Sequence, residues 1–351
     1  MAIKKYRACL IGCGRMGATI DDEVQRNPSS VHWLPYSHAA ALRAQEKAEF
    51  VGVADVVAEK VETIRRRYEV ARGYTDYRQM LEKEKPELVC IATRPATHAE
   101  LVVAAAESGV KGIYCEKPLC CSMAEADAMM AACQRHGVLF NYGTQRRYMQ
   151  PYLQMRALIQ AGELGQVQAV ISYCGVGAAL WSQTHTADML LFLAGDGPAE
   201  YVQGIALVEP ADFEDNRVTG DPGIPLGYAR FASGVHGYFT AATGYEFEVS
   251  GTRGKLRTCD DGSGVWWRRS RGGGLLEKVA FPAQPARSGT AAGLRDLIDA
   301  MDTGRQTQGS LPLAVRSQEL VFGLVESERL QGARVPLPLQ NRELYVGREG
   351  W

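Results

Sequence analysis

Lys117 is the side chain best placed in this sequence to do chemistry. It stands in Glu116-Lys117-Pro118, directly after the apolar run 110–115, so an ammonium is carried on a short proline-braced turn at a strand end. From there its charge can lower the pKa of a hydroxyl, or the amine can act as base if burial depresses its own pKa. Far upstream, Cys9-Leu10-Ile11-Gly12-Cys13-Gly14-Arg15-Met16-Gly17 reads as an apolar strand ending in GxGxxG. Gly12 allows the tight turn, Gly14 lets backbone approach a phosphate, and Gly17 lets a helix pack close to the strand. A pyrophosphate would then rest on the N–H groups and positive dipole end of the following helix. Together the two signals predict a nicotinamide-dependent enzyme with a catalytic lysine.

GxGxxG alone also marks ordinary strand-to-helix turns, so its context matters. The run 49–55 is a second apolar strand and ends in Asp55. A carboxylate there accepts hydrogen bonds from the adenosine ribose and repels a 2′-phosphate, so NAD rather than NADP is expected. Asp55 can equally cap a helix starting near Ala58. It lies 38 residues beyond Gly17, against about 20 in the usual arrangement. The excess falls in 20–36, rich in Asp, Asn, Ser and Pro, which reads as a loop inserted into the first crossover before a helical pattern at 38–48. Trp33 and Tyr36 argue against a disordered insertion, and the expectation is that it covers the cofactor or reaches the substrate.

These residues need elements to hold them. Strand patterns at 6–11, 49–55, 88–92, 111–115 and 138–142 alternate with helical ones at 97–108 and 122–136, which predicts a doubly wound parallel sheet over 1–143. Asp55, Thr93, Pro95 and Lys117 then gather outside the carboxyl ends of the strands. From 144 the pattern changes. A helix over 146–161, a strand over 167–174 and a helix over 184–193 are followed by strands at 199–208, 227–231, 235–240, 245–250, 255–259 and 264–268. Consecutive strands without helices predict a second, α+β domain over 144–351 with a large, mostly antiparallel sheet. Arg268-Arg269-Ser270-Arg271-Gly272-Gly273-Gly274 reads as a hairpin tip, and helices are expected at 290–301 and 314–330.

Bulk properties narrow the function classes. A chain of 351 residues suggests two domains with sizeable cores. The net charge of -1, with both signs interspersed, offers no footprint for nucleic acid or an anionic membrane. No apolar stretch approaches a membrane span, and the start reads as a strand rather than a signal peptide. Nine cysteines without CxxC pairs read as buried reduced thiols rather than zinc ligands or disulfides, which fits the cytoplasm.

The sequence resembles the Gfo/Idh/MocA oxidoreductase family. The matching pieces are GCGRMG at 12–17, VGVADV at 51–56, ATRPATH at 92–98, EKP at 116–118, GELG at 162–165, HTAD at 185–188, SGTRGKL at 250–256 and VESERLQGARVPLPL at 325–339, in the family's order. The resemblance implies a Rossmann domain, a C-terminal domain with an open sheet used for dimer or tetramer contacts, and NAD(P)-dependent chemistry at a sugar or polyol hydroxyl. By the same resemblance Gly12, Gly14 and Gly17, with the backbone of Cys13, Arg15 and Met16, hold the pyrophosphate, and Asp55 the ribose. Thr93, Pro95 and His98 match the strand-end motif beside the nicotinamide ribose, and Glu116 and Lys117 the site motif, both at the cofactor, where Lys117 contacts the reacting hydroxyl. His185 and Asp188 match a helix that supplies the acid/base in relatives. On a helix they share one face, so Asp188 can orient the imidazole or bind a second hydroxyl. Arg146, Tyr173 and Trp181 complete the expected substrate contacts.

The sequence departs from the family's pattern at one place. Many relatives carry Asp four residues before the helix His, where this chain has Trp181, and others pair Asp with a His at the position of Phe192. Trp181 can instead stack on a sugar or nicotinamide face. Each site residue also has a plainer reading: a structural His, a solvated turn lysine, an ordinary charged helix start at Arg146-Arg147. Two further function classes fit the motifs. One is an NAD-dependent glycosidase, which would need a second base such as Tyr142, Tyr148, Tyr173 or His185. The other is an NAD-binding sensor, which an intact EKP disfavours.

Overall fold

The computed structural model describes residues 4–348 and 350–351. Met1 to Ile3, where the expected strand-forming start begins, lie outside them. Six parallel strands, β1 (Tyr6–Ile11), β2 (Ala48–Ala54), β3 (Arg72–Tyr74), β4 (Leu88–Ile91), β5 (Gly112–Cys115) and β6 (Leu139–Tyr142), form one sheet in the order β3-β2-β1-β4-β5-β6. The order reverses between β1 and β4, and a crevice for ligand opens at the carboxyl ends there. Alternation along β1 sends its side chains into two cores. Cys9 and Ile11 join Val89, Ile91 and Ile113 beneath helices α5 (His98–Glu107) and α6 (Met123–His136). Ala8 and Leu10 join Phe50, Val53 and Cys90 on the other face, under α2 (His38–Arg43), α3 (Ala58–Arg67) and α9 (Gly289–Thr303). Helix α9 arrives from the far end of the chain and is tied down by Asn141 Nδ2 donating to Gly293 O at 2.7 Å and by Tyr6 OH donating to Asp302 Oδ1 at 2.6 Å.

Several local expectations are corrected. Segment 20–36 is not a plain loop: a π-helical turn, Arg15–Thr19, runs into α1 (Ile20–Val24), and Pro28–His32 forms a 3₁₀ turn. The helix expected over 38–48 stops at Arg43, and Ala48 already belongs to β2. The exposed edge strand β3 and α4 (Tyr77–Glu84) follow α3, where no pattern had been read. The helix expected over 146–161 divides into a 3₁₀ turn, Gln145–Tyr148, and α7 (Gln150–Gln160). Pro151, which lacks an N–H and is tolerated in a first turn, accounts for the break.

The second sheet has nine strands, in the order Leu276–Val279, Gly264–Ser270, Gly254–Cys259, Glu246–Gly251, β7 (Val167–Tyr173), His236–Thr240, Leu226–Phe231, Ala199–Ile205 and Val335–Pro336. Only β7 and His236–Thr240 among its pairs run parallel. The strand Gly264–Ser270 pairs with Leu276–Val279, so the hairpin tip starts beyond Ser270 rather than at Arg268. Its inner face is covered by α8 (Gln183–Ala194) and α10 (Leu311–Arg329). Leu324 of α10 presses onto it at Gly204 and Gly227, where an added Cβ would meet that side chain at 2.7 Å. All nine cysteines are free thiols, most of them buried. Among the described residues no helix is long and apolar enough to cross a membrane.

Candidate active site

β1 ends in a turn that only glycine can make. Gly12 sits at φ +100°, and a Cβ there would lie 2.5 Å from the Ala92 carbonyl oxygen. A Cβ on Gly17 would lie 1.9 Å from Gly12 O, so the helix can close onto the strand only as glycine. At Gly14 a Cβ would meet nothing within 4 Å, and the helical turn that starts there has no side-chain cap. The result is a cradle of open backbone N–H groups at a helix start, the shape a pyrophosphate needs. Asp55 stands at the end of β2 and reaches across to this turn. It accepts from Cys13 N at 2.8 Å and from Val57 N at 2.9 Å, while the N-cap position of α3 is Val57 rather than Asp55 itself. These residues fit a dinucleotide.

Beside the cradle, Thr93 follows β4, its hydroxyl pairs with that of Thr97 at 2.8 Å, and buried Pro95 opens the turn that leads into α5. His98 is fully buried. Its Nδ1 donates to Pro118 O at 2.9 Å and its Nε2 lies 3.3 Å from Thr93 O. Burial keeps the ring below its ordinary pKa and hence neutral. His98 therefore brackets the β4 and β5 loops together and offers no ring nitrogen outward. Glu116 is also buried, its Oε2 facing His38 Nε2 at 3.1 Å.

Lys117 emerges from this packed turn. Its Nζ donates to Trp181 O at 2.9 Å and lies 4.3 Å from the centre of the Trp181 ring. Burial is the main force pushing the amine below its usual pKa. The charges of Arg146 and Arg15 add to it, against the opposing pull of Glu116 and Asp221. Trp181 stays half-exposed, and Asp221 holds its loop by accepting from the amides of Leu180 at 2.7 Å and Trp181 at 3.0 Å. His185, on the first turn of α8, feels the same cations. Burial first, then Lys117 and Arg146, hold it well below the ordinary imidazole pKa, so it is a neutral base. Its Nδ1 has no hydrogen-bond partner among the described residues.

Asp188 does not orient that imidazole. Three residues on, it is fully buried and accepts from Arg147 Nε at 2.7 Å, and Arg147 also donates to Asp196 Oδ1 at 2.8 Å. The shared helix face is real, but a buried arginine claims Oδ1 of the carboxylate, while Oδ2 has no partner among the described residues. Burial lifts its pKa while Arg147 pulls it back. Arg146 is likewise engaged, through a bidentate pair with Asp261 at 2.7 Å, and its guanidinium lies 4.2 Å from the centre of the Tyr245 ring.

Tyr173 is not part of this assembly. Val170 and Ser172 of β7 point inward toward α8, so alternation turns Tyr173 to the outer face, where Arg257 lies 4.1 Å from its ring centre. Tyr142 and Tyr148 are core residues, bonded to Gln318 and to Asn141 and Asp296 respectively, and burial raises both phenols far above the usual range. Neither can serve as a base near a substrate. Sequence reading missed Asp221, Asp261 and Gln145, which position the site from loops without periodicity. It also passed over His38, concealed as the start of a small apolar helix.

Comparison with known proteins agrees with this geometry. Residues 6–144 match the GFO_IDH_MocA model, an oxidoreductase family with an NAD-binding Rossmann fold. The chain is 24% identical over 239 residues to a myo-inositol 2-dehydrogenase of Thermotoga maritima, covering 62% of this chain and 70% of that protein. It is 33% identical over 162 residues to an inositol 2-dehydrogenase of Salmonella paratyphi B, covering 46% of this chain and 43% of that one. A levoglucosan dehydrogenase solved with NADH and levoglucosan superposes with a TM-score of 0.74 at 19% identity, over 95% of this chain and all of that one. The glycine cradle, the acid at the end of β2 and the lysine turn all lie in the part of the chain, residues 6–144, that matches the NAD-binding Rossmann domain of the Gfo/Idh/MocA oxidoreductases.

Proposed function

We propose that this protein is an NAD-dependent dehydrogenase acting on a secondary hydroxyl of a sugar, sugar derivative or cyclitol. The observation that carries the reading is Lys117 on its strand-end turn, its charge felt by a neutral His185 whose Nδ1 has no partner among the described residues. Bound NAD supplies the hydride acceptor, held by the backbone of residues 12–17 and by Asp55. Lys117 donates a hydrogen bond to the substrate oxygen and lowers its pKa. His185, kept unprotonated by burial and by its cationic neighbours, takes the proton as the carbon is oxidised. Trp181 gives the sugar ring a flat apolar surface. Asp188 and Arg147 fix the helix that carries His185 instead of touching substrate, and His98 fixes the two loops. Names of the curated relatives, inositol 2-dehydrogenases among them, support a polyhydroxylated substrate.

The pH dependence tests who is the base. A base works above its pKa, so if His185 takes the proton, oxidation falls only as the pH drops below 6.5, its ordinary value. If Lys117 is the base, the limb belongs to an amine lowered from its ordinary value of 10.5 by burial, and it survives in His185→Asn. We expect the lower limb, and we expect His185→Asn to remove it without changing NAD affinity. A limb retained at its original pH in His185→Asn moves the base to Lys117.

Cofactor choice follows from Asp55. Its carboxylate would face a 2′-phosphate at short range, so NAD should bind at least about tenfold more tightly than NADP in titrations of the pure protein. Equal affinities would contradict this. A dimer or tetramer formed through the outer face of the second sheet is supported by Tyr201, Tyr228 and Tyr238, which cluster there, and by half-exposed Leu226 and Trp266 on the same face. Light scattering should give at least twice the chain mass, and a monomer at micromolar concentration would refute it.

A further inference from the structure

Segment 20–36 folds back on itself and is fastened at three points. Asp21, on α1 directly beyond the glycine turn, accepts from Tyr36 N at 2.8 Å and Ser37 N at 2.9 Å with its two oxygens. Ser288 Oγ donates to Pro35 O at 2.6 Å. Gln145 Nε2 donates to Tyr36 OH at 3.2 Å. Gln145 immediately precedes Arg146, and the Arg146 charge bears on Lys117 and His185 as well as on Tyr36. The Tyr36 phenol thus lies beside Gln145 and Arg146, and among the described residues its oxygen is committed only as acceptor to Gln145.

Several buried polar atoms near Tyr36 lack partners among the described residues. Gln145 is buried with its Oε1 lacking a partner among the described residues, and so are His32 Nδ1 and Trp33 Nε1 of the insertion. Trp33 and Tyr36 lie side by side, with ring centres 6.0 Å apart. Unmet donors and acceptors beside flat aromatic surface are the features that bind a polyhydroxylated ring, since each unpaired buried group costs stability until something bonds it. Burial raises the Tyr36 phenol to about 12, so it stays protonated and can donate.

We infer that the insertion is the substrate-selecting wall of the site, with Tyr36 and Gln145 binding a ring hydroxyl remote from the carbon being oxidised, and His32 and Trp33 extending that surface. The inference rests on the dehydrogenase reading for its substrate class but assigns it residues outside the family's matching motifs. A hydroxyl held by Tyr36 and Gln145 distinguishes epimers, because the wrong epimer leaves both groups unpaired.

The test uses the full protein and a panel of myo-inositol, scyllo-inositol, D-glucose, D-galactose and D-xylose. Tyr36→Phe removes one oxygen and keeps the ring and the backbone bonds to Asp21. It should keep wild-type NAD affinity yet weaken the preferred panel member about tenfold, mainly in KM, and narrow the gap between epimers. Asp21→Asn, which can accept only one of the two amides, should do the same by loosening the wall. Saturation-transfer NMR with NAD present measures panel binding independently of turnover. NADH formation by the wild type with unchanged epimer ranking in Tyr36→Phe overturns the wall and leaves the dehydrogenase reading standing. Absence of NADH with every member counts against the dehydrogenase reading, and the wall then stands or falls on whether Tyr36→Phe shifts the NMR affinities.

Discussion

Lys117→Ala should fold, bind NAD as the wild type does, and turn over about 100-fold more slowly or worse, the loss expected for a positioned proton-transfer or hydroxyl-polarising group. The side chain makes few structural bonds: among the described residues its amine meets the Trp181 carbonyl and ring. The turn itself is held by neighbours, Glu116 against His38 and the Pro118 carbonyl against His98. Truncation therefore removes an ammonium from the crevice without removing its frame. Initial rates at saturating substrate, beside an NAD titration, measure the two effects separately. Near-wild-type turnover would dismantle the assignment of the site.

Arg147→Met should destabilise the fold by about 3–5 kcal/mol, as loss of one partner from a buried ion pair does. The guanidinium is fully buried and donates to Asp188, to Asp196 and to the Gln308 carbonyl. Without it, the Asp188 carboxylate is left in an apolar setting that already raises its pKa. The double variant Arg147→Met/Asp188→Leu should recover part of the loss, since an apolar pair of similar volume is often as stable as the ions it replaces. Denaturant midpoints decide it. A single-variant loss below about 1 kcal/mol would mean that water already satisfies the Asp188 carboxylate.

The parallel sheet was legible because its strands are buried on both faces and read as unbroken apolar runs, Leu88–Ile91 being the clearest. The glycine turn and the lysine turn were legible because their chemistry is local: a positive φ, a close backbone approach, a charge braced by proline. The short edge strand Arg72–Tyr74 was not, since exposure gives it no pattern to show. Nor was the fate of Asp188. Its spacing to His185 is a helical fact, but Arg147 reaches it from an element 41 residues away, and a single sequence records no such pairing. Tyr173 failed for a subtler reason. Strand alternation was visible, but which face would meet α8 depends on how the second sheet packs. Segment 20–36 looked like a loop because its helical turns are too short to show a period, though its aromatic pair did signal order.

The most direct measurement is NADH produced against carbonyl product formed, with purified protein, NAD and a panel of sugars and cyclitols. One NADH per product carbonyl with at least one member, abolished by Lys117→Ala, is the result expected of a dehydrogenase whose oxidation centres on that lysine. Product release without any accumulation of NADH would instead show a cofactor recycled within each turnover, as a glycosidase does, and would contradict the account.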